Sequence, residues 1–225
     1  MSPDELSDGD LIDRIAAGDP EAFAALFRRR QGQVYRFALH MTAAPSIAED
    51  VTQEVFLAVM HDAGRYDPAR ASVVAWLCGI ARNHVRRRVE RDRLLQPLSL
   101  YDDGRDDDPL EGLVAVEPAV LGDLTRAESI EALRQAVLTL PVRYREAVVL
   151  CDLQELSYAD ASAALGCAIG TVRSRLHRGR ALLATKLAAS VAAQRVTPGR
   201  TRNEVGDVIE RANIGRPLRS VRNLA

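Results

Sequence analysis

The chain has 225 residues, 47% of them apolar, which is enough for one medium domain or two small ones. Aromatic residues make up only 4%, while Ala, Leu, Arg and Glu dominate, so a sheet-rich fold is disfavoured and an all-α one expected. The net charge of -1 conceals segregation: six Arg against two acids in 82–93, four Arg plus Lys186 without an acid in 173–186, and eight acids against Arg105 alone in 102–123. Two basic modules joined by an acidic strap suit phosphate backbones, with an ordinary solvated helix face as the plainer reading.

In chain order, Leu11, Ile12 and Ile15 mark a short amphipathic helix within 7–18, ended by Gly18. Asp19-Pro20 predicts an N-cap and first helical residue, and apolar side chains from Phe23 to Met41 recur at helical spacing. Ser46 with Glu49 predicts a capping box for a third helix carrying Val51, Val55, Phe56 and Val59 on one face. After a loop at Asp67-Pro68, Ser72 is expected to cap a fourth helix. It turns Val73, Trp76, Leu77, Ile80 and Ala81 inward and becomes strongly basic from Arg86. Residues 94–124 lose all periodicity and predict a flexible acidic linker.

A second block opens with Ile130, Leu133, Val137 and Leu140 as its core stripe, and Pro141 begins the next helix. Ser157 is expected to cap a short helix that Gly166 interrupts, followed by a long basic helix over about 168–188. Residues 189–225 read either as a basic tail without fixed structure, with a short helix near 203–212, or as a regulatory or docking extension. No apolar run approaches the ~18 residues of a membrane span and no signal peptide opens the chain, so a cytoplasmic protein is expected. Cys78, Cys151 and Cys167 form no CxxC pair and predict buried thiols; neither a metal nor a cofactor is expected.

The sharpest pattern runs from Leu156 to Arg180: a short helix, a Gly-containing turn and a second helix, the plan of a helix-turn-helix. Ala161, Leu165, Ile169, Val172 and Leu176 are expected to fix the two helices together. That leaves Thr171, Arg173, Ser174, Arg175, His177, Arg178 and Arg180 to face DNA. Arginine can pair bidentately with guanine in the major groove, and the remaining cations can neutralise phosphates.

The segment Gly170-Thr-Val-Arg-Ser-Arg-Leu-His-Arg-Gly-Arg180 resembles the recognition helix of region 4 in extracytoplasmic-function sigma factors, which binds the −35 promoter element. Leu140-Pro-Val-Arg-Tyr-Arg-Glu-Ala-Val-Val-Leu150 is similar to the start of the same region. Ala48-Glu-Asp-Val-Thr-Gln-Glu-Val-Phe56 resembles region 2.2, which docks on the polymerase clamp, and Ala75-Trp-Leu-Cys-Gly-Ile-Ala-Arg-Asn83 resembles region 2.3 running into 2.4, which opens and reads the −10 element. The chain departs from the family at Ala71-Ser72-Val73-Val74, where a Gly-Ser-Phe type sequence is frequent, and at Ala168, where a proline is frequent.

The resemblance implies two small helical domains, region 2 over 7–93 and region 4 over 125–188, with the 94–124 linker between them. It implies core RNA polymerase, promoter DNA and an anti-sigma factor as partners, and no catalysis. Asp50, Gln53, Glu54 and Phe56 would meet polymerase, Phe56 being equally readable as core. Asn83 would hold an extruded base with the 66–72 loop as the other wall, unless it bonds within its own helix. Trp76 reads as stacking on DNA or as core, and Arg82, Arg86 and Arg87 as phosphate contacts. The alternative is an autonomous helix-turn-helix regulator acting as a dimer. An enzyme is disfavoured: the four histidines lie scattered, and neither a nucleophile elbow nor a Gly-rich phosphate loop is present.

Overall fold

The computed structural model describes residues 3–95 and 126–196, among which there is helix but no strand. The linker and most of the tail discussed above lie outside the described residues. Helix α1 (Asp8–Ala16) begins at a capping box, with Ser7 Oγ accepting from the Asp10 N–H at 3.2 Å and Asp10 Oδ2 accepting from the Ser7 N–H at 3.1 Å. Gly18, at φ 88, turns the chain into α2 (Pro20–Thr42), where Asp19 Oδ1 accepts from the Glu21 and Ala22 amides. Arg29 and Arg30 clamp the Asp8 carboxylate, tying α2 back to α1.

Helix α3 (Pro45–Asp62) starts differently from expectation. Pro45 takes the first helical position and Ala44 the N-cap, so the Ser46–Glu49 capping box does not form. After a 3₁₀ turn at Ala63–Arg65 and the 66–72 loop, α4 (Val73–Leu95) is capped by Ser72, whose Oγ accepts from the Ala75 N–H. Leu11, Ile12, Leu26, Phe37, Val51, Val55 and Leu77 are each at most 1% exposed and form the core of this half.

The second half holds α5 (Arg126–Leu138), α6 (Val142–Val148), a π-helical turn at Val149–Leu153, α7 (Tyr158–Leu165) and α8 (Ile169–Val196). Ser157 Oγ caps α7 and Gly166, at φ 65, ends it, as the sequence leads one to expect. Ile130 and Ile169 are corrections: both stand exposed rather than in the core, while Val137, Leu140, Val172 and Leu176 are buried. Helix α8 continues past 188 to Val196, so the supposed tail begins as helix. Of the cysteines only Cys78 is buried, and that burial pushes its thiol up to about 12.

The two halves do not stand apart. One continuous cluster joins Leu77, Cys78 and Ala81 of α4 to Val149, Leu150, Ala161, Ala164 and Leu165 of the second half. Small residues permit the approach: an added Cβ on Gly79 of α4 would stand 3.6 Å from the backbone of Ala164 in α7. Polar ties flank this contact. Arg82 Nε donates to Glu146 Oε1 at 2.7 Å, the Ser72 N–H to Asp160 Oδ1 at 2.8 Å, an Arg145 guanidinium N–H to the Met41 carbonyl, and the Gln154 amide to the Gln33 carbonyl.

His40 sits at the contact of α2 with α5 and carries a testable pH signature. Burial first, then the charges of Arg134 and Arg36, lower its pKa below 6.5. Above that value the ring is neutral whether packed or not. As pH falls below it the unpacked ring protonates first, so the stability of this packing decreases until the lowered folded value is passed. Chemical denaturation between about pH 7 and 5 is expected to show this loss, and His40→Gln to flatten it. An unchanged slope in the variant removes His40 as the cause.

Candidate nucleic-acid interface

The local geometry of α8 follows from its sequence. Val172, Leu176 and Gly179 recur at i, i+4 and i+7 and are buried, which turns Arg173, Ser174 and His177 to solvent. Thr171, Arg175 and Arg178 flank that face half-buried. Three members of the set are already engaged within the protein. Ser174 Oγ donates back to the Thr171 carbonyl at 3.0 Å. Arg173 lies over the Tyr158 ring, 5.7 Å from its centroid. Arg180 grips Asp152 with two hydrogen bonds of 3.1 and 2.6 Å, which first of all holds its pKa up. Arg180 therefore braces α8 against the π-turn, with its side chain still 55% exposed. The Arg175 Nε is buried without a hydrogen-bond partner among the described residues.

Sequence reasoning missed Tyr158, whose exposed ring supports Arg173 at the entrance to the outer face of α8. Its position directly after the cap Ser157 was the available signal.

On α4 the expected residues divide between two sides. Trp76, Asn83 and Arg87 share one face at i, i+7 and i+11, while Gly79, Arg82 and Arg86 share the other. Asn83 and Arg87 are exposed and Arg86 is half-buried. The Trp76 ring is half-buried against Tyr66, with centroids 5.3 Å apart, and the Tyr66 hydroxyl donates to the Ala71 carbonyl. Trp76 is thus a packing residue that fixes the 66–72 loop. Arg82 is not available for phosphate in this structure, because its side chain is 14% exposed and paired with Glu146 at 4%. The loop contacts α4 at Trp76, some seven residues or about 10 Å of helix short of Asn83.

On α3, Asp50 and Gln53 are exposed and Glu54 is half-buried. Arg88 of α4 pairs with Asp50 at 2.6 Å, and His84 Nδ1 lies 2.8 Å from Glu54 Oε2. Phe56 is 2% exposed and packs edge-on against Phe27 at 4.8 Å, so it belongs to the core and not to a docking face. The sequence reading missed Leu57 and Met60, which stand 56% and 54% exposed. Together with Gln53 they form an i, i+4, i+7 stripe beside a groove of about 380 Å³ lined by Glu54, His61, His84 and Arg87. Apolar residues on two faces of α3 were the signal: the helix carries more than one core face requires.

Comparison with known proteins agrees with this arrangement. The family description "Sigma-70 region 2" matches residues 26–94, and "Sigma-70, region 4" matches residues 130–183. The chain is 36% identical over 185 residues to the ECF RNA polymerase sigma factor SigM of Mycobacterium tuberculosis (strain ATCC 25618 / H37Rv), covering 81% of this chain and 86% of that one. It is 37% identical over 177 residues to SigC of Mycobacterium tuberculosis (strain CDC 1551 / Oshkosh), covering 75% and 85%. Among solved structures, the sigma factor RpoE of Bartonella quintana, in complex with the anti-sigma factor NepR, superposes with a TM-score of 0.55. The two are 28% identical, with 73% of this chain and 96% of that one covered. Both modules are matched in the same order and relatives this similar span most of the molecule; the chain belongs to the extracytoplasmic-function (ECF) RNA polymerase sigma factors.

Proposed function

We propose that this promoter-specificity subunit of RNA polymerase divides its work among three surfaces. The outer stripe of α3, with Asp50, Gln53 and Glu54 beside Leu57 and Met60, docks on core polymerase. Its mixture of acids and apolar side chains suits a protein partner better than a phosphate backbone. The outer face of α8 enters the major groove of the −35 element, where Arg173 reads a base edge, Ser174 and His177 supply further contacts and Arg178 meets phosphate. Asn83 of α4 holds a base extruded from the −10 element, with Arg86 and Arg87 on the adjoining phosphates. Its exposed amide makes no hydrogen bond within the described residues, which favours this role over capping.

The observation that carries the reading is the outward row Arg173, Ser174 and His177 on a helix held from behind by buried neighbours. The chain acts without chemistry of its own, in the cytoplasm, and an anti-sigma factor restrains it, as NepR is found on the Bartonella relative. Among the described residues no helix is long and apolar enough to cross a membrane.

Run-off transcription tests this function. Core polymerase with the chain is expected to start from defined sites on double-stranded DNA, and core alone is not; failure to start overturns the reading. Arg173→Ala is expected to relax −35 preference by about 1–3 kcal/mol while leaving overall binding to mixed duplex nearly intact. An unchanged preference would remove Arg173 as a base reader.

A further inference from the structure

Ile169 has the chemistry of a core residue and the placement of a contact residue. It opens α8 and stands 41% exposed, although Val172 and Leu176 of the same helix are buried. A single exposed isoleucine is ordinary on a protein surface and by itself says nothing. Its surroundings are more specific. Ala168 and Gly170 on either side are also exposed, and a Cβ added at Gly170 would meet nothing within 4 Å. The first turn of α8 therefore holds out one bulky apolar side chain between two small residues, with open space beside it. A helix end of that shape lets a partner approach closely, which a short side chain needs in order to touch it.

Ile169 lies four residues before Arg173, so the two side chains are neighbours along one edge of α8. Arg173 is itself steadied over the Tyr158 ring, 5.7 Å from the centroid. In a helix-turn-helix the N-terminal residues of the second helix contact base edges in the major groove. With α8 in that groove, Ile169 faces the base pairs next to those that Arg173 meets. We propose that Ile169 is a further specificity residue of the −35 surface, which reads the 5-methyl group of a thymine. This rests on the function proposed above and adds an apolar contact to its polar ones.

The side chain selects the base. Of the four bases only thymine carries a methyl group on its major-groove edge. Isoleucine has neither donor nor acceptor, so against adenine, guanine or cytosine it would shield polar edge atoms from water without pairing them. Branching at Cβ restricts χ1 in a helix, so little rotamer freedom is left to lose on contact. The gain is one buried methyl group, about four-fold in affinity. Four residues of helix advance about 6 Å. At about 3.4 Å per base step, the thymine falls within about two base pairs of the pair that Arg173 reads.

Replacing thymine by deoxyuridine removes the methyl group and leaves the base pair intact. Run-off start sites of the holoenzyme define the promoter duplex, and each thymine of its −35 element is replaced in turn. One replacement is expected to weaken holoenzyme binding about four-fold, close to the pair whose preference Arg173→Ala relaxes. That ratio should not change with salt, unlike the loss of a phosphate contact. Ile169→Ala is expected to bind the thymine and deoxyuridine duplexes equally, at the weaker affinity. Its melting temperature should be no lower than the parent's, because the side chain is exposed and alanine is the better helix former. The assignment is overturned if no thymine methyl within reach matters to the parent chain, or if its full effect persists in Ile169→Ala. A holoenzyme that starts transcription yet gives a flat deoxyuridine scan removes Ile169 as a reader and leaves the function standing. One that starts nowhere overturns the function, and this contact with it.

Discussion

Phe56→Ala is expected to destabilise the first half by about 3–5 kcal/mol, with no selective loss of polymerase affinity in the fraction that remains folded. The side chain is 2% exposed and closes an aromatic cluster with Phe23 and Phe27 that fixes α3 on α2. Truncation leaves a cavity between helices already tied together, so the site can collapse only partly. Each kcal/mol corresponds to about 4–8 °C in a domain of this size, which makes the effect visible by thermal unfolding. Phe56→Leu should recover most of the loss. Gln53→Ala should do the reverse, weakening the holoenzyme with the melting temperature unchanged. Were Phe56→Ala to weaken polymerase binding at an unaltered melting temperature, the residue would be interface after all.

The contrast between Phe56 and its neighbours shows what the sequence carries and what it does not. Caps and stops were legible because they are local chemistry. Asp19-Pro20 and Ser157 can start a helix, and Gly166 can end one, without reference to anything distant. Where two local signals competed, the stiffer one won. Pro45 fixes its own φ for the first helical position, which leaves Ser46 inside the helix rather than at its cap. Periodicity gives a stripe but not the partner that covers it, so Ile130 and Ile169 fall on apolar stripes and still face solvent.

The site was legible to the same degree. The outward face of α8 follows from Val172 and Leu176 alone. Arg82 and Arg180 read as free cations because the acids that hold them, Glu146 and Asp152, lie 64 and 28 residues away in sequence. No window of helical length contains both members of either pair. The close packing of the two halves was hidden for the same reason, since it depends on a glycine in α4 meeting an alanine in α7.

A second glycine supports the largest effect expected on the −35 surface. Gly179→Leu should cost more than about 3 kcal/mol and weaken −35 recognition together with stability. An added Cβ at this position would stand 2.8 Å from Val148 Cγ2 and 3.3 Å from the Tyr144 carbonyl oxygen. Val148 and Tyr144 are each 1% exposed on α6, and one of the two obstacles is backbone, so neither can swing away. Gly179→Ala separates the opposing terms. Alanine gains about 1 kcal/mol of helix propensity over glycine, whereas overpacking by one methyl costs about 1–3 kcal/mol. The contact distance decides the sign: at 2.8 Å the helices must move apart, so a net loss of about 1 kcal/mol is expected, with leucine far worse. Because α6 is the wall that aims Arg173 and His177 outward, the same displacement reaches the DNA face. A stabilised Gly179→Ala protein with unaltered −35 preference would show instead that α8 can ride away from α6 freely, and that its aim is set by α7 alone.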